Sequence, residues 1–494
     1  MKRMISKVDL RRLKLIDVLT SSENTIPFDE LSKVMSSSER IILDDIRELN
    51  KEYDEALQIS IINGNVHIKK KLNFGFEDIL HDVLRSNQSF QNLESLFFNP
   101  YKSIEKMALD SYTSTSTMYR KVMHINNSLY EGFNIKLRTT PLSIEGNESD
   151  IRKFYYQLFT SKYKFFEWPF HAYINEKELE SFMYSFIKEL PLDIDFAFFR
   201  NMKFIIAINI IRIKKGFKSK LSSNNDIDPF ILEVLDKNHT HSKFSKLINL
   251  ELNLETIKDI FYGFVDELIS YSSNELIESA TRNITISQSY FQMLNIIKQL
   301  TTKFDLTIPN QEIVITNLHN TVTLGQIEVT SNFVSEDRIK SFLQSAKDIS
   351  PHFLNEAKYL FTEYLEDVFG IKDDVLLNTM LFNIYTHWHG LYSQLIANKN
   401  KVNIVVLSST DHLHARFMGE VIMYDIPNHA EITVIENTFI DEVDLYSYDI
   451  IVANFPIGKD LKNTQIYVNN LPTSQDLQNI TEEVNRIFKL KNAN

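Results

Sequence analysis

The chain has 494 residues, with 43% hydrophobic and 24% charged positions and only 11 Gly and 11 Pro, a balance that fits several packed domains and leaves little room for disorder or collagen-like repeats. Zero cysteines exclude disulfides, Cys-ligated zinc and thiol chemistry, leaving 13 histidines as the side chains that titrate near neutrality. The net charge of -12 argues against a nucleic-acid partner until it is located: residues 1–140 hold 20 Lys+Arg against 19 Asp+Glu, so the deficit lies wholly in the rest, 33 against 46. The richest apolar stretch, Phe196 to Ile213, is broken by Arg200, Lys203, Asn209 and Arg212, which predicts no membrane span. Met1, Lys2 and Arg3 have no apolar segment behind them, so no secretory signal is expected and the cytoplasm is the expected compartment.

From Leu10 to Lys71 the pattern reads helix, helix, helix, hairpin. Leu13, Ile16 and Leu19 form the first stripe, and a second helix spans about Phe28 to Val34 after Thr25-Ile26-Pro27. Ser36 and Glu39 have capping-box spacing ahead of a third helix, whose stripe Ile42, Ile46, Leu49 leaves Arg40, Asp44 and Arg47 on other faces. Asn63-Gly64 between Leu57–Ile61 and Val66–Lys70 predicts a tight hairpin, because both turn positions need positive φ. A helix with one buried stripe and one free face, followed by such a wing, suits the major groove of DNA; Ser37, Ser38, Arg40, Asp44 and Arg47 are the candidate contacts. The competing reading is an ordinary amphipathic helix.

A second copy of this logic occupies Phe90 to about Gly146. Leu93, Leu96 and Phe97 make a short helix and Ser103 to Leu109 another. Thr113 to Ser116 then turns into a helix with the stripe Met118, Val122, Ile125, Leu129. Its polar face offers Thr115, Ser116, Thr117, Arg120 and Lys121 with His124. A hairpin is predicted from Phe133–Leu137 and Leu142–Ile144, with Arg138 as a phosphate or minor-groove contact.

Aromatic-rich helices follow, for example Ile151 to Phe166, Glu176 to Ile187 and Lys203 to Ile213. After a polar break at Ser219 to Asp228, others run at Ser287 to Thr302, Glu336 to Ala346 and Leu354 to Gln394. Two helical domains of similar size are expected. The last 95 residues change character: strands at Val402–Leu407, Glu431–Ile435 and Asp449–Ala453 with a helix at Leu413–Met423 predict a small α/β domain with a parallel sheet.

The Ser38-Glu39-Arg40 helix with its wing, the second module with Thr117, Tyr119 and Arg120 before Ile125-Asn126, and Gly146-Asn147-Glu148 ahead of Ile151-Arg152 together resemble the Mga/AtxA family of virulence transcription regulators. The likeness covers essentially the whole chain. It implies a multidomain, mainly α fold: a winged helix-turn-helix over 1–72, a second helix-turn-helix over 73–147, and phosphotransferase-regulated helical domains (PRDs) over 148–284 and 285–398. Residues 399–494 are implied to resemble the sugar-transport component EIIB. The resemblance also implies binding to double-stranded DNA, homodimerisation, and control by the phosphocarrier protein of the sugar phosphotransferase system.

In PRDs the acceptor histidine commonly precedes an Arg by about seven residues. Ahead of Arg212 the chain has Ile205 instead, with His171, His239 and His241 as poor substitutes. In the second PRD, His387 lies near the stripe Leu377, Ile384, Leu391, Leu395, and His389 lies on a different face; these are the candidate phosphoacceptors, against the reading of His387 as a core-edge residue. EIIB-like folds place a phosphorylatable Cys after the first strand, where this chain has Ser408-Ser409-Thr410-Asp411-His412. Transfer through a thiol is therefore excluded, which leaves packing, dimer formation or anion binding at the helix start. The pairs His239/His241, His387/His389 and His412/His414 supply too few ligands for zinc, so no metal is expected. No Walker loop, dinucleotide fingerprint or Gly-x-Ser-x-Gly elbow occurs, so neither a cofactor nor an enzymatic activity is expected. The rival functions are a PRD-controlled RNA-binding antiterminator, whose RNA module would be small and β-rich, and a non-catalytic component of a phosphotransferase relay.

Overall fold

The computed structural model describes residues 4–21, 25–100, 103–187, 196–219, 240–261, 268–270, 272–327, 333–397, 400–426, 429–435, 444–457, 461 and 463–492. The chain divides into two compact units, Met1–Ser287 with His319–Arg338, and Gln288–Leu318 with Ile339–Asn494.

The first unit opens with α1 (Lys7–Ser21), a short strand β1 (Thr25–Pro27), α2 (Phe28–Met35) and α3 (Glu39–Glu52), followed by β2 (Leu57–Ile62) and β3 (Asn65–Lys70). Leu13, Ile16 and Leu19 are buried, as are Ile42, Ile46 and Leu49, so the two stripes read from the sequence face one core. The hairpin turns on Asn63 (φ 51) and Gly64 (φ 79), the left-handed pair its composition requires. It forms an antiparallel three-stranded sheet in the order β1-β3-β2, because β1 adds to the free edge of β3. The expected Ser36–Glu39 capping box does not form. Ser36 (φ 49) closes α2 in the left-handed conformation instead, and Ser38 is the N-cap of α3 without a side-chain cap bond.

The second module consists of α4 (Phe76–Ser86), α5 (Gln88–Phe98), α6 (Ile104–Asp110), α7 (Thr115–Phe133) and the hairpin β4 (Lys136–Thr139) and β5 (Leu142–Glu145). Phe133 belongs to the helix rather than to the hairpin, since α7 ends only where Asn134 (φ 54) takes the left-handed C-cap position. Next come α8 (Glu148–Lys162), α9 (Glu176–Ile187) and α10 (Phe196–Lys214). Helix α8 begins earlier than its apolar stripe suggests, because Asn147 caps it by accepting from the Ser149 amide. A single apolar cluster runs from Met4 to Phe261 through both modules and into these helices.

Buried charge is threaded through that cluster. Glu148 accepts from Arg152 Nε (3.0 Å) and from Arg212 Nε (2.8 Å), while Arg152 also donates to Asp259 Oδ1 (2.7 Å). Further pairs, Lys162–Glu94 and Arg85–Glu167, tie the second module to α8 and the turn beyond it.

In the second unit, Leu354–Gln394 is not one helix. Gly370 (φ 65) and Gly390 (φ 79) divide it into Pro351–Phe369, Asp374–His387 and Leu391–Ala397, each glycine taking a conformation that an L side chain resists. The α/β domain has four parallel strands in the order β7-β6-β8-β9: β6 (Val402–Leu407), β7 (Ala430–Val434), β8 (Ile450–Ala453) and β9 (Thr464–Tyr467). Val402, Ile404 and Val406 pack on one face of the sheet and Val405 and Leu407 on the other, which is why the strand reads as a continuous apolar run. Among the described residues, no helix is long and apolar enough to cross a membrane.

Candidate nucleic-acid interface

The local sequence of α3 separates its faces. Ile42, Ile46 and Leu49 are sequestered, while Ser38, Arg40, Asp44 and Arg47 are exposed and Ser37 is half-buried, its Oγ donating to the Met35 carbonyl. Arg47 pairs with Asp44 at 3.2 Å; Arg40 has no ion-pair partner among the described residues. The whole helix is anchored by a charged residue that stands on its buried stripe, between Ile42 and Leu49. Asp45 is buried and holds Arg11 (Nε to Oδ2 2.5 Å) and Arg12 (Nε to Oδ1 3.2 Å) from α1, fixing the first helix against the third.

The second module repeats this skeleton at a constant sequence offset. Leu31 and Met107 are buried in the helices before the turns; Ser36 and Tyr112 are both left-handed at φ 49; Ser38 and Ser114 are both N-caps. The buried stripes pair as Ile42 with Met118, Ile46 with Val122 and Leu49 with Ile125. Two asparagines complete the correspondence. Asn50, the twelfth residue of α3, donates to the Ile59 carbonyl (2.8 Å) and accepts from the Ile59 amide (2.7 Å). Asn126, the twelfth residue of α7, does the same at Leu137, at 3.0 and 2.5 Å. Each amide ties a wing strand to its helix through two hydrogen bonds. An Asn shared between two otherwise dissimilar helices was the available signal for this pairing.

On α7, Ser116, Arg120 and His124 are exposed and Thr115, Thr117 and Lys121 are half-buried. Ser114 caps the helix by accepting from the Thr117 amide (3.1 Å), and its hydroxyl also meets Thr117 Oγ1 (2.8 Å). Arg120 and Lys121 have no ion-pair partner among the described residues, while Arg138 on the wing pairs with Glu145 at 3.2 Å and remains exposed. Neither candidate face is packed inside the molecule.

The histidines fall into distinct environments. His387 ends its helix half-buried, with Nδ1 3.0 Å from the Asn383 carbonyl and 3.1 Å from Thr386 Oγ1. A carbonyl can only accept, so the neutral ring takes the tautomer with the proton on Nδ1 and the lone pair on Nε2. His389 is exposed, and its amide donates to Asn310 Oδ1. His319, not singled out from the sequence, is fully buried against the Leu268 carbonyl (2.7 Å), and burial pushes its pKa down. His171 is exposed; His239 and the side chain of His241 lie outside the described residues. Among the described residues, no group of three His, Asp or Glu side chains could hold a metal ion.

In the α/β domain, the chain order places the topological switch point at the ends of β6 and β8, where open parallel sheets usually bind ligands. Here the crevice fills itself. Asn454 accepts from the Ser409 amide (2.8 Å) and donates to Asn470 (2.8 Å), and His414 bridges Ser408 Oγ (2.7 Å) and the Asn470 carbonyl (2.9 Å). Asp411 caps the following helix, so a carboxylate already sits where an anion would dock.

Two winged modules, each presenting a polar helix face beside its hairpin and both rooted in the same core as a helical domain, define a DNA-binding regulator of the helix-turn-helix class. The family comparisons agree along the chain. Residues 6–65 match the M protein trans-acting positive regulator (MGA) HTH domain, 72–159 the Mga helix-turn-helix domain, and 175–391 the M protein trans-acting positive regulator (MGA) PRD domain. The chain belongs to the Mga/AtxA family of regulators. It is 26% identical over 462 residues to a candidate trans-acting regulator of Streptococcus pneumoniae, covering 92% of this chain and 93% of that one. It is 21% identical to the anthrax toxin expression trans-acting positive regulator of Bacillus anthracis (91% and 93% covered), and 26% identical to the capsule synthesis positive regulator AcpB of the same organism (43% and 44% covered).

Proposed function

We propose that the chain is a cytoplasmic, homodimeric transcription activator of the virulence-regulator type, binding duplex DNA through α3, α7 and their wings, and answering to the sugar phosphotransferase system through its helical domains. The observation that carries this reading is the repeated head: two helices in one register, each pinned to a hairpin, each with an exposed polar face. Ser37, Ser38, Arg40, Asp44 and Arg47 line the first face, and Thr115, Ser116, Thr117, Arg120, Lys121 and Arg138 the second. Four such heads in a dimer would engage a long duplex.

His387 is the proposed phosphoacceptor. Its Nε2 lone pair attacks the phosphorus of the phosphocarrier's phosphohistidine, a new N–P bond forms, and the donor N–P bond breaks. The domain at 399–494 takes the EIIB-like role without group transfer, since its switch point is occupied by its own Asn454, His414 and Asp411. No enzymatic step is assigned to any part of the chain.

The test is titration of a promoter-derived duplex at several salt concentrations. Affinity should fall steeply with salt, and Arg40→Ala, Arg47→Ala or Arg120→Ala should each weaken binding and lower the slope of log K against log salt by about 1. A salt-independent affinity, or displacement of the duplex by hairpin RNA at equal concentration, would overturn this assignment.

A further inference from the structure

The constant offset between α3 and α7 permits a position-by-position comparison of the two exposed faces. Where α3 carries Asp44, α7 carries Arg120; where α3 carries Glu48, α7 carries His124; where α3 carries Arg47, paired to Asp44 at 3.2 Å, α7 carries Met123. The exposed half of α3 is thus a mixed surface with its own internal ion pair. The N-terminal half of α7 has two cations and no acid before Glu131.

Met123 is the anomaly on that face. It is 70% exposed, next to Tyr119 at 41%, at the i and i+4 positions of a helix whose apolar stripe is buried on the opposite side. Ser116, Arg120 and Asn127 share the exposed side. A single exposed apolar residue needs no explanation, but a methionine and a tyrosine set among free cations form a surface with two properties at once. Cations fit the phosphates that line a groove. Apolar atoms fit the C5-methyl group of thymine, which is the apolar feature of the major-groove floor.

Resting on the assignment of the chain as a DNA-binding regulator, we propose that α7 is the sequence-reading helix, with Met123 and Tyr119 packing against thymine methyl groups between phosphate contacts from Arg120 and Lys121. Helix α3, with Arg47 where α7 has Met123 and Asp44 where it has Arg120, docks on the duplex without the Met123 contact. The occupant of the face is the thymine-bearing major groove, chosen by the match of free positive charge to phosphate.

The experiment uses the full chain. A random-sequence duplex library is enriched by binding, and the selected duplex is then resynthesised with deoxyuridine replacing thymidine one position at a time, which deletes the methyl group and nothing else. The wild-type chain should lose about fourfold in affinity at one or two positions, the equivalent of one buried methyl group each. Met123→Ala should lose the discrimination between thymidine and deoxyuridine at one of these positions, whereas Met123→Leu, which restores apolar contact, should discriminate there again. If the wild type is indifferent to every deoxyuridine, or if Met123→Ala and Tyr119→Ala discriminate as well as wild type, the inference falls while DNA binding stands. It falls equally if Met123→Ala breaks self-association in sedimentation and leaves discrimination intact, since the face would then be a protein interface. Failure to enrich any duplex, with no salt-dependent binding, would sink the DNA-binding assignment itself.

Discussion

Replacing Asn50 by Ala removes a side chain that serves the two backbone groups of Ile59, on the edge strand of the first wing. The amide bridges Ile59 at 2.8 and 2.7 Å, and both bonds disappear together. At about 1 kcal/mol net per bond, the wing strand loses roughly 2 kcal/mol of its attachment to α3. That corresponds to local opening about thirtyfold more often, on a scale where 1.4 kcal/mol is tenfold. Hydrogen exchange followed by mass spectrometry on a peptide spanning 57–62 reads this directly, and peptides from α2 act as the control. Asn50→Asp should fall between wild type and Ala, because a carboxylate still accepts from the Ile59 amide but repels its carbonyl. Asn126→Ala should produce the same local effect at Leu137 in the second module. Exchange at 57–62 changing less than about twofold, or rising equally in α2, would refute the idea that this amide specifically couples wing to helix.

Three further outcomes concern ionisable side chains. Glu148→Gln keeps the shape of the side chain but strips the charge that Arg152 and Arg212 share, and leaving buried guanidinium groups undercompensated should cost about 3–5 kcal/mol. Thermal unfolding should register a clear loss, and a change below about 1 kcal/mol would show that the cluster is not a keystone of the first unit. The imidazole of His319 is held by burial below its ordinary pKa of 6.5, so the folded state binds fewer protons than the unfolded one. Stability is therefore full above pH 6.5 and declines as pH falls below it, by at most about 1.4 kcal/mol per pH unit. His319→Gln should abolish that component, and identical pH profiles for the two proteins would contradict it. Incubation with the charged phosphocarrier should add a phosphoryl group to the peptide containing His387, a label lost in His387→Gln and kept in His389→Gln; a label on any other histidine would remove His387 from this role.

The readable parts of the fold were those set by neighbours in sequence. The stripes Ile42, Ile46, Leu49 and Met118, Val122, Ile125 place α3 and α7, and Asn63-Gly64 places the first wing, because periodicity and turn stereochemistry act within a few residues. Strand β9 escaped because it is short and alternates between half-buried and exposed residues, and β1 because three residues before a helix carry almost no pattern. The last helix, Ser474–Lys491, was legible in principle: Thr473 and Asp476 form the capping box that Ser36 and Glu39 only imitate. Ser36 failed because the turn between α2 and α3 is too tight to leave it free, and its backbone went to closing α2.

The functional residues that escaped share a cause. Asp45 falls on the buried stripe itself, three residues after Ile42 and four before Leu49, but nothing nearby in sequence shows that Arg11 and Arg12 reach it from α1 and compensate its charge. Asn50 and Asn126 look like ordinary polar helix residues until their strands fold back upon them. In each case the partner lies on another element, and the side chain's role is fixed by a backbone or a charge that local pattern does not encode. The two heads therefore keep one skeleton through contacts that ignore surface charge. That frees their outer faces to diverge, mixed in charge and self-paired on α3, cationic with an exposed methionine on α7, within two copies of a single fold.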